Sequence, residues 1–400
     1  MLGEDDMTNN QTRWKMPART LFAAMACSAV LGLAGPAALA QSGERVHKEY
    51  PQLADLLNAF DLTQAKTFEE IAKINAEPGY KVERAELREH MDMMKGMTMS
   101  EMMASGMMSH GGMAMHTATS PYPDMEVAAR INLLTLMRAK HDDKEVANAY
   151  MDNAAIGRHA AVILRRGRDF ENSLFEIYLD DGIRDKKAAI DAAIADYLSD
   201  ERHSVSPLPT ASRYLIDHDQ ATGFQTAFPR LSGLMWTQQW LQLAALEAII
   251  LGQLDKQFVG SMSIAMERFW NKVGTDGGMS MFPAPTELPM SPAIAPDLYS
   301  QSPEAAVILD NLNILETVLA DILSYPDEQD LEAKMDAALT LFTNKEVKRI
   351  DRPLDYLLFA LRGGIYDQGG PAVGDLTRSE RNRSRGAMGM VHVATMKTGQ

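Results

Sequence analysis

The segment LSGLMWTQQWLQLAALEAIILGQL, residues 231–254, is the most apolar helical stretch of this 400-residue chain. Glu247 is its only charged residue, and apolar side chains lie on every side of the predicted helix. A helix that is apolar all round is buried in a protein core or in a membrane. Gln238, Gln239 and Gln242 interrupt the roughly 20 predominantly apolar residues that a bilayer span needs, so we expect a core helix. A buried carboxylate needs a partner, and we expect Glu247 to meet an arginine or face an edge.

Helical spacing continues on both sides of this segment. Apolar residues recur three and four positions apart, as in amphipathic helices, and no alternating β-branched run predicts a strand. The predicted helices are 124–139, 143–178, 184–199, 256–272, 303–324, 328–343 and 352–362. The sequence therefore predicts an all-α fold, a multi-helix bundle over residues 121–368. The long Pro- and Gly-rich connection at 274–302 is predicted to be a functional or docking loop.

Residues 41–89 are predicted to form an N-terminal helical segment. Thr67-Phe68-Glu69-Glu70 has the capping-box pattern, so we expect a short helix to begin there. Residues 81–95 form a charged helix that leads into a methionine-rich segment. Residues 203–229 contain three prolines and are predicted to be a loop that holds one short helix.

Residues 1–40 have the pattern of a secretory signal peptide. Arg13, Lys15 and Arg19 precede an apolar stretch at 21–33, and Ala38-Leu39-Ala40 is a small-x-small cleavage site. The alternative is an N-terminal membrane anchor, against which the apolar stretch is short. We expect export to the periplasm, with a mature chain that has no transmembrane segment.

Cys27 is the only cysteine and lies inside this signal. Its removal leaves a chain with no disulfide, no thiolate metal ligand and no cysteine nucleophile. The formal net charge of −15 argues against nucleic acid, which needs clustered lysine and arginine, and against anionic membrane surfaces.

Residues 90–116 are exceptionally rich in methionine. They hold 11 methionines in 27 residues, against 17 in the other 373. The candidate metal ligands of this segment are His90, Met91, Met93, Met94, Met97, Met99, Met102, Met103, Met107, Met108, His110, Met113, Met115 and His116.

The donor chemistry of this segment favours a soft metal ion. Thioether sulfur is a soft, neutral ligand that selects Cu(I), and imidazole adds a nitrogen donor suited to copper and zinc. Met91, Met94 and Met97 lie three apart, so a helix would stack them on one face. Gly96 and Gly106 break the segment, and we expect its last part to be a loop that wraps an ion and orders with it.

Two other interpretations stay open. Methionine makes adaptable hydrophobic contact surfaces, so the segment could bind a partner or fill a core. Methionine is also reversibly oxidised to its sulfoxide, so the segment could act as an oxidant sink.

The segment resembles the Met/His-rich tracts of periplasmic copper-binding and copper-resistance proteins. The resemblance rests on the Met-x-x-Met and Met-x-Met arrangements at Met91, Met93, Met94, Met97 and Met99, and on Met113, Met115 and His116. It covers about 27 residues of the chain and implies copper handling in the cell envelope. It implies nothing about the fold of the helical body.

Weaker candidates lie elsewhere. The C-terminal tail at 369–400 is basic and predicted to be disordered. It also contains methionine and histidine, and its second, weaker set of metal candidates is Met388, Met390, His392 and Met396. The alternative is a low-complexity tail without a metal site. Met279, Met281 and Met290 are expected to be loop contacts. His159 is expected to be a structural histidine, and His141 with Asp142 and Asp143 to mark a helix start.

The sequence thus favours an exported protein that binds Cu(I), with Cu(II) or Ag(I) as alternative ions, in copper buffering, delivery or resistance. Its partners would be copper ions and a Met-rich envelope protein. The alternative is an interaction or assembly subunit of an envelope complex that docks through the Met-rich stretch and the loops. No catalytic triad, phosphate loop, dinucleotide fingerprint or zinc-protease motif is visible, so an enzyme has no positive support.

Overall fold

The computed structural model describes residues 43–95, 120–151, 153–209, 214–274, 284–345, 353–362 and 364–374. Within these ranges every regular element is helical, which confirms the all-α prediction. The α-helices are α1 Glu44–Glu49, α2 Pro51–Asn75, α3 Lys81–Lys95, α4 Pro123–Arg138, α5 Asp143–Asn148, α6 Gly157–Leu179, α7 Lys186–Leu198, α8 Tyr214–Asp217, α9 Gly223–Ala227, α10 Pro229–Leu254, α11 Ser261–Gly274, α12 Ser291–Ile294, α13 Pro296–Gln301, α14 Pro303–Ser324, α15 Leu331–Thr343, α16 Pro353–Ala360 and α17 Gly364–Asp367. Short 3₁₀ turns lie at Pro78–Tyr80 and Lys256–Phe258.

Helix α10 is the centre of the bundle, as its sequence predicts. Nearly every residue from Leu231 to Ile250 is buried. Helix α10 packs against α2, α4, α6, α11 and α13, while α14 packs against α2, α6, α9 and α15. None of the described helices is both long and apolar enough to cross a bilayer.

Prolines begin several of these helices, because a proline in the first turn loses no helical hydrogen bond. Helices α2, α4, α10, α13 and α14 all carry one at the N-terminal end. The predicted helix 303–324 and the predicted charged helix 81–95 are confirmed to the residue.

The predicted short helix at Thr67 is wrong. Helix α2 runs unbroken through this position, and the Thr67 hydroxyl donates to the Thr63 carbonyl one turn earlier at 2.8 Å. Thr67 is buried in the bundle, so its apolar neighbours hold the chain helical and override the local capping signal.

The predicted single helix 143–178 is divided into α5 and α6. Asn153 breaks it, since its side-chain oxygen accepts from the Ala155 amide at 2.9 Å and its amide group donates to the Ala65 carbonyl at 2.5 Å. Gly157 then begins α6 with a φ of +74°, a conformation that favours glycine.

The connection 274–302 is more ordered than predicted where the structure describes it. It contains α12 and α13, and Met290, which directly precedes α12, is fully buried. The backbone amides of Thr286 and Glu287 donate to the Asp367 carbonyl at 2.8 and 3.1 Å. Residues 203–229 likewise hold two short helices, α8 and α9, where one was predicted.

Candidate functional site

Helix α3 carries the first part of the methionine-rich segment. Arg84, Leu87 and Met91 lie on its buried face, where Met91 keeps only 6% of its surface exposed. His90 is exposed, and Met93 is 48% exposed. The helix therefore presents His90 and Met93 to solvent and places the Met91 thioether in the core.

The end of α3 is held against the turn that follows α14. Arg88 Nη1 donates to the Pro326 carbonyl at 2.8 Å, and the Tyr325 hydroxyl donates to the Asp92 carboxylate. The Lys95 ammonium lies 4.2 Å from the centroid of the Tyr325 ring, a cation–π contact. These contacts fix the C-terminal end of α3 against the body.

The chain also returns to a fixed point. Ser120 Oγ donates to the Ala227 carbonyl at 3.0 Å and accepts from the Tyr122 amide at 3.0 Å. The Tyr122 ring stacks on Phe228 and meets Tyr80 edge-on, with both centroid distances at 5.3 Å. The aromatic contacts therefore hold the chain just before α3 against the chain just before α4.

Most of the predicted metal ligands lie outside the described residues. The structure places His90, Met91, Met93 and the backbone of Met94. Within the described ranges, no three His, Asp or Glu side chains are arranged to hold a metal ion together. The predicted ligands beyond the described residues are Met97, Met99, Met102, Met103, Met107, Met108, His110, Met113, Met115 and His116, with Met388, Met390, His392 and Met396 of the tail.

A buried polar cluster in the bundle core was not predicted. Arg168 of α6 is at its centre: Nε lies 2.6 Å from Asp61 Oδ1 of α2, and Nη1 donates to Glu171. Nη2 donates to Gln64 Oε1 at 2.6 Å. Arg165 Nη1 lies 3.6 Å from the other oxygen of Asp61.

The cluster extends across the bundle to α14. Glu316 accepts from the Tyr150 hydroxyl at 3.1 Å and from Gln239 Nε2 at 2.8 Å. Gln242 Nε2 donates to Glu171 at 3.2 Å. Two of the glutamines that interrupt the apolar sequence of α10, Gln239 and Gln242, therefore bind buried carboxylates, while Gln238 donates to Thr63 Oγ1 at 2.9 Å.

Burial dominates the electrostatics of this cluster. It raises the pKa of Asp61, Glu171 and Glu316 above the usual carboxyl range, against the lowering effect of Arg168. Three carboxylates face two guanidinium groups, and a cavity of about 20 Å³ beside Glu171 and Glu316 has room for about one water molecule. The hydrogen bonds and ion pairs of this cluster join α2, α6, α10 and α14 and can fix their register.

Glu247 has a different partner from the predicted one. It is 2% exposed and accepts from the backbone amides of Asp297 and Leu298 at 3.0 to 3.2 Å. It thus caps the first turn of α13, whose amides have no partners within the helix. Burial raises the pKa of Glu247 to about 8.

Sequence features point to parts of this arrangement. Arg168 and Glu171 are three apart on a predicted helix, and Gln238, Gln239 and Gln242 stand out in an apolar one. Nothing in the local sequence shows that α2 and α14 bring Asp61 and Glu316 to the same place.

Comparison with models of known families, with curated proteins and with solved structures finds no match to this chain.

Proposed function

We propose that the protein is an exported soft-metal binder that holds Cu(I) with the methionine-rich segment. The observation that carries the proposal is the concentration of 11 methionines and three histidines in residues 90–116. The segment begins on a helix that presents His90 and Met93 at the surface. An ion would meet both donors without any change in the core.

The donor set fits a soft ion. Thioethers carry no proton to lose and bind Cu(I) in preference to hard cations, and imidazole adds nitrogen donors. Met91 is left out of the proposed ligand set, because its burial beside Leu87 makes it part of the core. The ligands would come from His90, Met93 and the methionines and histidines that follow.

The role of the body is to fix the two ends of the segment. The Tyr325 turn holds α3, and the Tyr80–Tyr122 contact closes the base. Residues 96–119 between these anchors can then exchange ligands with a second Met-rich protein of the envelope. Export by residues 1–40 would place this exchange in the periplasm, for copper buffering, delivery or resistance.

The test is to count copper after anaerobic loading with Cu(I). The variant replaces the exposed and segment methionines by leucine, which keeps chain length and apolar volume. The replaced residues are Met93, Met94, Met97, Met99, Met102, Met103, Met107, Met108, Met113 and Met115. The expected result is loss of the bound copper with an unchanged circular dichroism spectrum.

The matched control replaces buried methionines of the body by leucine. Met137, Met235 and Met262 are all at most 6% exposed, and their loss should leave the copper count unchanged. Equal copper binding by the segment variant and the parent chain would overturn the proposal.

The second candidate function is an assembly subunit of an envelope complex. It is favoured by an exposed apolar row on and just after α16, where Leu354, Leu358 and Leu361 are 65%, 64% and 46% exposed. A partner that is captured equally well with and without copper, and lost when Leu354, Leu358 and Leu361 are replaced by serine, would support it over metal binding.

A further inference from the structure

Two histidines from separate parts of the chain meet at the surface. His159 lies in the first turn of α6, and His203 lies in the turn that follows α7. Their ring centroids are 5.5 Å apart, with an interplanar angle of 87°. Only long-range folding brings these two imidazoles together.

One nitrogen of each ring is already held. His203 Nδ1 lies 3.0 and 3.1 Å from the two carboxylate oxygens of Asp200, and His159 Nε2 lies 3.3 Å from the Arg202 carbonyl. These oxygens only accept, so each held nitrogen carries the hydrogen. His203 Nε2 and His159 Nδ1 then keep their lone pairs and have no hydrogen-bond partner among the described residues.

This pattern is characteristic of metal-binding histidines. A ligating imidazole usually donates its other N–H to a carboxylate or a backbone carbonyl, which fixes the tautomer and the ring orientation. Asp200 serves His203 in this way, and the Arg202 carbonyl serves His159. The Asp200 carboxylate also supplies negative charge next to the pair, which Arg166 Nε offsets in part at 3.8 Å.

The turn that carries His203 is held firmly. Lys345 Nζ donates to the Glu201 and Ser204 carbonyls at 2.6 and 3.0 Å. The Val205 amide donates to the Tyr197 hydroxyl at 2.9 Å. The His203 side chain nevertheless keeps 25% of its surface exposed, so an ion can reach it from solvent.

We propose that His159 and His203 form a two-imidazole site for Cu(II), completed by water. Imidazole suits Cu(II), which binds more tightly than Zn(II) and the other divalent first-row ions at a given nitrogen site. A metal–nitrogen bond of about 2.0–2.1 Å puts two nitrogens on one ion at most about 4 Å apart. The ring centroids lie 5.5 Å apart, so binding requires a side-chain rotation that brings His159 Nδ1 within this distance of His203 Nε2.

The site is separate from the Cu(I) segment in residues and in chemistry. To keep the two apart, the experiment uses the full mature chain with His90, His110 and His116 replaced by alanine. This background removes the imidazoles of the segment and keeps every residue of the body. It is titrated aerobically with Cu(II), and then separately with Zn(II), by calorimetry.

The expected result is that His159→Ala and His203→Ala each remove the same single equivalent of Cu(II). The double variant should lose no more than either single variant, because the ion is shared. The parent background should also show a higher thermal midpoint with Cu(II), since an ion that binds the native state alone stabilises it.

The matched control is His141→Ala. Both ring nitrogens of His141 are held, Nδ1 by Glu145 at 3.1 Å and Nε2 by the Leu136 carbonyl at 2.8 Å, so its loss should leave Cu(II) binding unchanged.

His159→Gln and His203→Gln serve as milder variants, and each should lose the ion with an unchanged metal-free thermal midpoint. Unchanged Cu(II) stoichiometry in both histidine variants, or tighter binding of Zn(II) than of Cu(II), would overturn the proposal. Neither result would change the anaerobic Cu(I) count, which tests the methionine segment alone.

Discussion

Tyr80 and Tyr122 meet edge to face, with ring centroids 5.3 Å apart, although 41 residues of chain separate them. Tyr80 ends the turn before α3, and Tyr122 precedes α4. Tyr122 is fully buried, and burial raises its pKa far above that of a free tyrosine. The contact joins the chain just before α3 to the chain just before α4, so the two ends of the stretch 81–121 are held together at Tyr80 and Tyr122.

Alanine substitutions at Met91 and at Met93 should affect the stability of the fold and the binding of Cu(I) separately. Met91→Ala leaves a cavity under α3 and should lower the free energy of unfolding by about 2–5 kcal/mol, with an unchanged Cu(I) count. Met93→Ala, at an exposed position, should change stability by less than about 0.5 kcal/mol and weaken Cu(I) binding. Urea unfolding and competition with a chromogenic Cu(I) chelator measure the two effects. Loss of copper binding in Met91→Ala, with the fold intact, would contradict this assignment.

Arg168→Leu should be among the most destabilising single changes in the body. It leaves Asp61 and Glu171 buried without their main cation, and removing one partner of a buried ion pair costs about 3–5 kcal/mol. The loss should be smaller at pH 5 than at pH 8, because the orphaned carboxylates can take up protons. Arg158→Leu, at an exposed position of the same helix, is the control and should stay near the parent chain in chemical denaturation at both pH values.

Glu247 should make the stability depend on pH. Burial raises its pKa in the folded chain to about 8, above the ordinary value of 4.5. The native state therefore binds more protons than the unfolded state between these values, and its stability falls as pH rises through that window. One such group contributes a slope of about 1.4 kcal/mol per pH unit. Denaturation series from pH 5 to 8 should show a flatter dependence for Glu247→Gln, whereas Glu267→Gln, at an exposed position, should keep the parent slope.

Gly369 should tolerate no side chain. It has a φ of +100°, and an added Cβ would lie 2.9 Å from Trp240 Cδ1 and 3.0 Å from Pro285 Cγ. Gly374 has a similar φ of +78°, but an added Cβ there meets nothing within 4 Å. Gly369→Ala should therefore lower the thermal midpoint more than Gly374→Ala, since both share the backbone strain and only the first adds a clash. Equal midpoints would mean that the 369–374 segment is not packed as described.

The sequence of the long helices predicts most of the fold. The apolar spacing of 231–254 and of 303–324 identifies α10 and α14, because it depends only on residues that are close together in the sequence. Asn153 could not be read as a helix break, because its amide bonds to Ala65, far away in the sequence. The helix start predicted at Thr67 was wrong for the converse reason, because burial in the bundle overrode a local capping pattern.

Of the candidate site, only the amino-acid composition could be predicted from the sequence. Methionine density marks residues 90–116, but the burial of Met91 depends on the face of α3 that meets the body. The His159–His203 contact and the cluster around Arg168 likewise join residues that are distant in sequence. Local patterns carry no information on such pairs, which is why His159 alone suggested only a structural role.

The most direct test of copper binding by the methionine segment is X-ray absorption at the copper K edge of the Cu(I)-loaded mature chain. The proposed ligands predict a first shell of about three or four donors dominated by sulfur, as soft ligands require. This sulfur scattering should disappear when the segment methionines are replaced by leucine. A first shell of nitrogen and oxygen alone, or a sulfur shell that survives these replacements, would contradict the account.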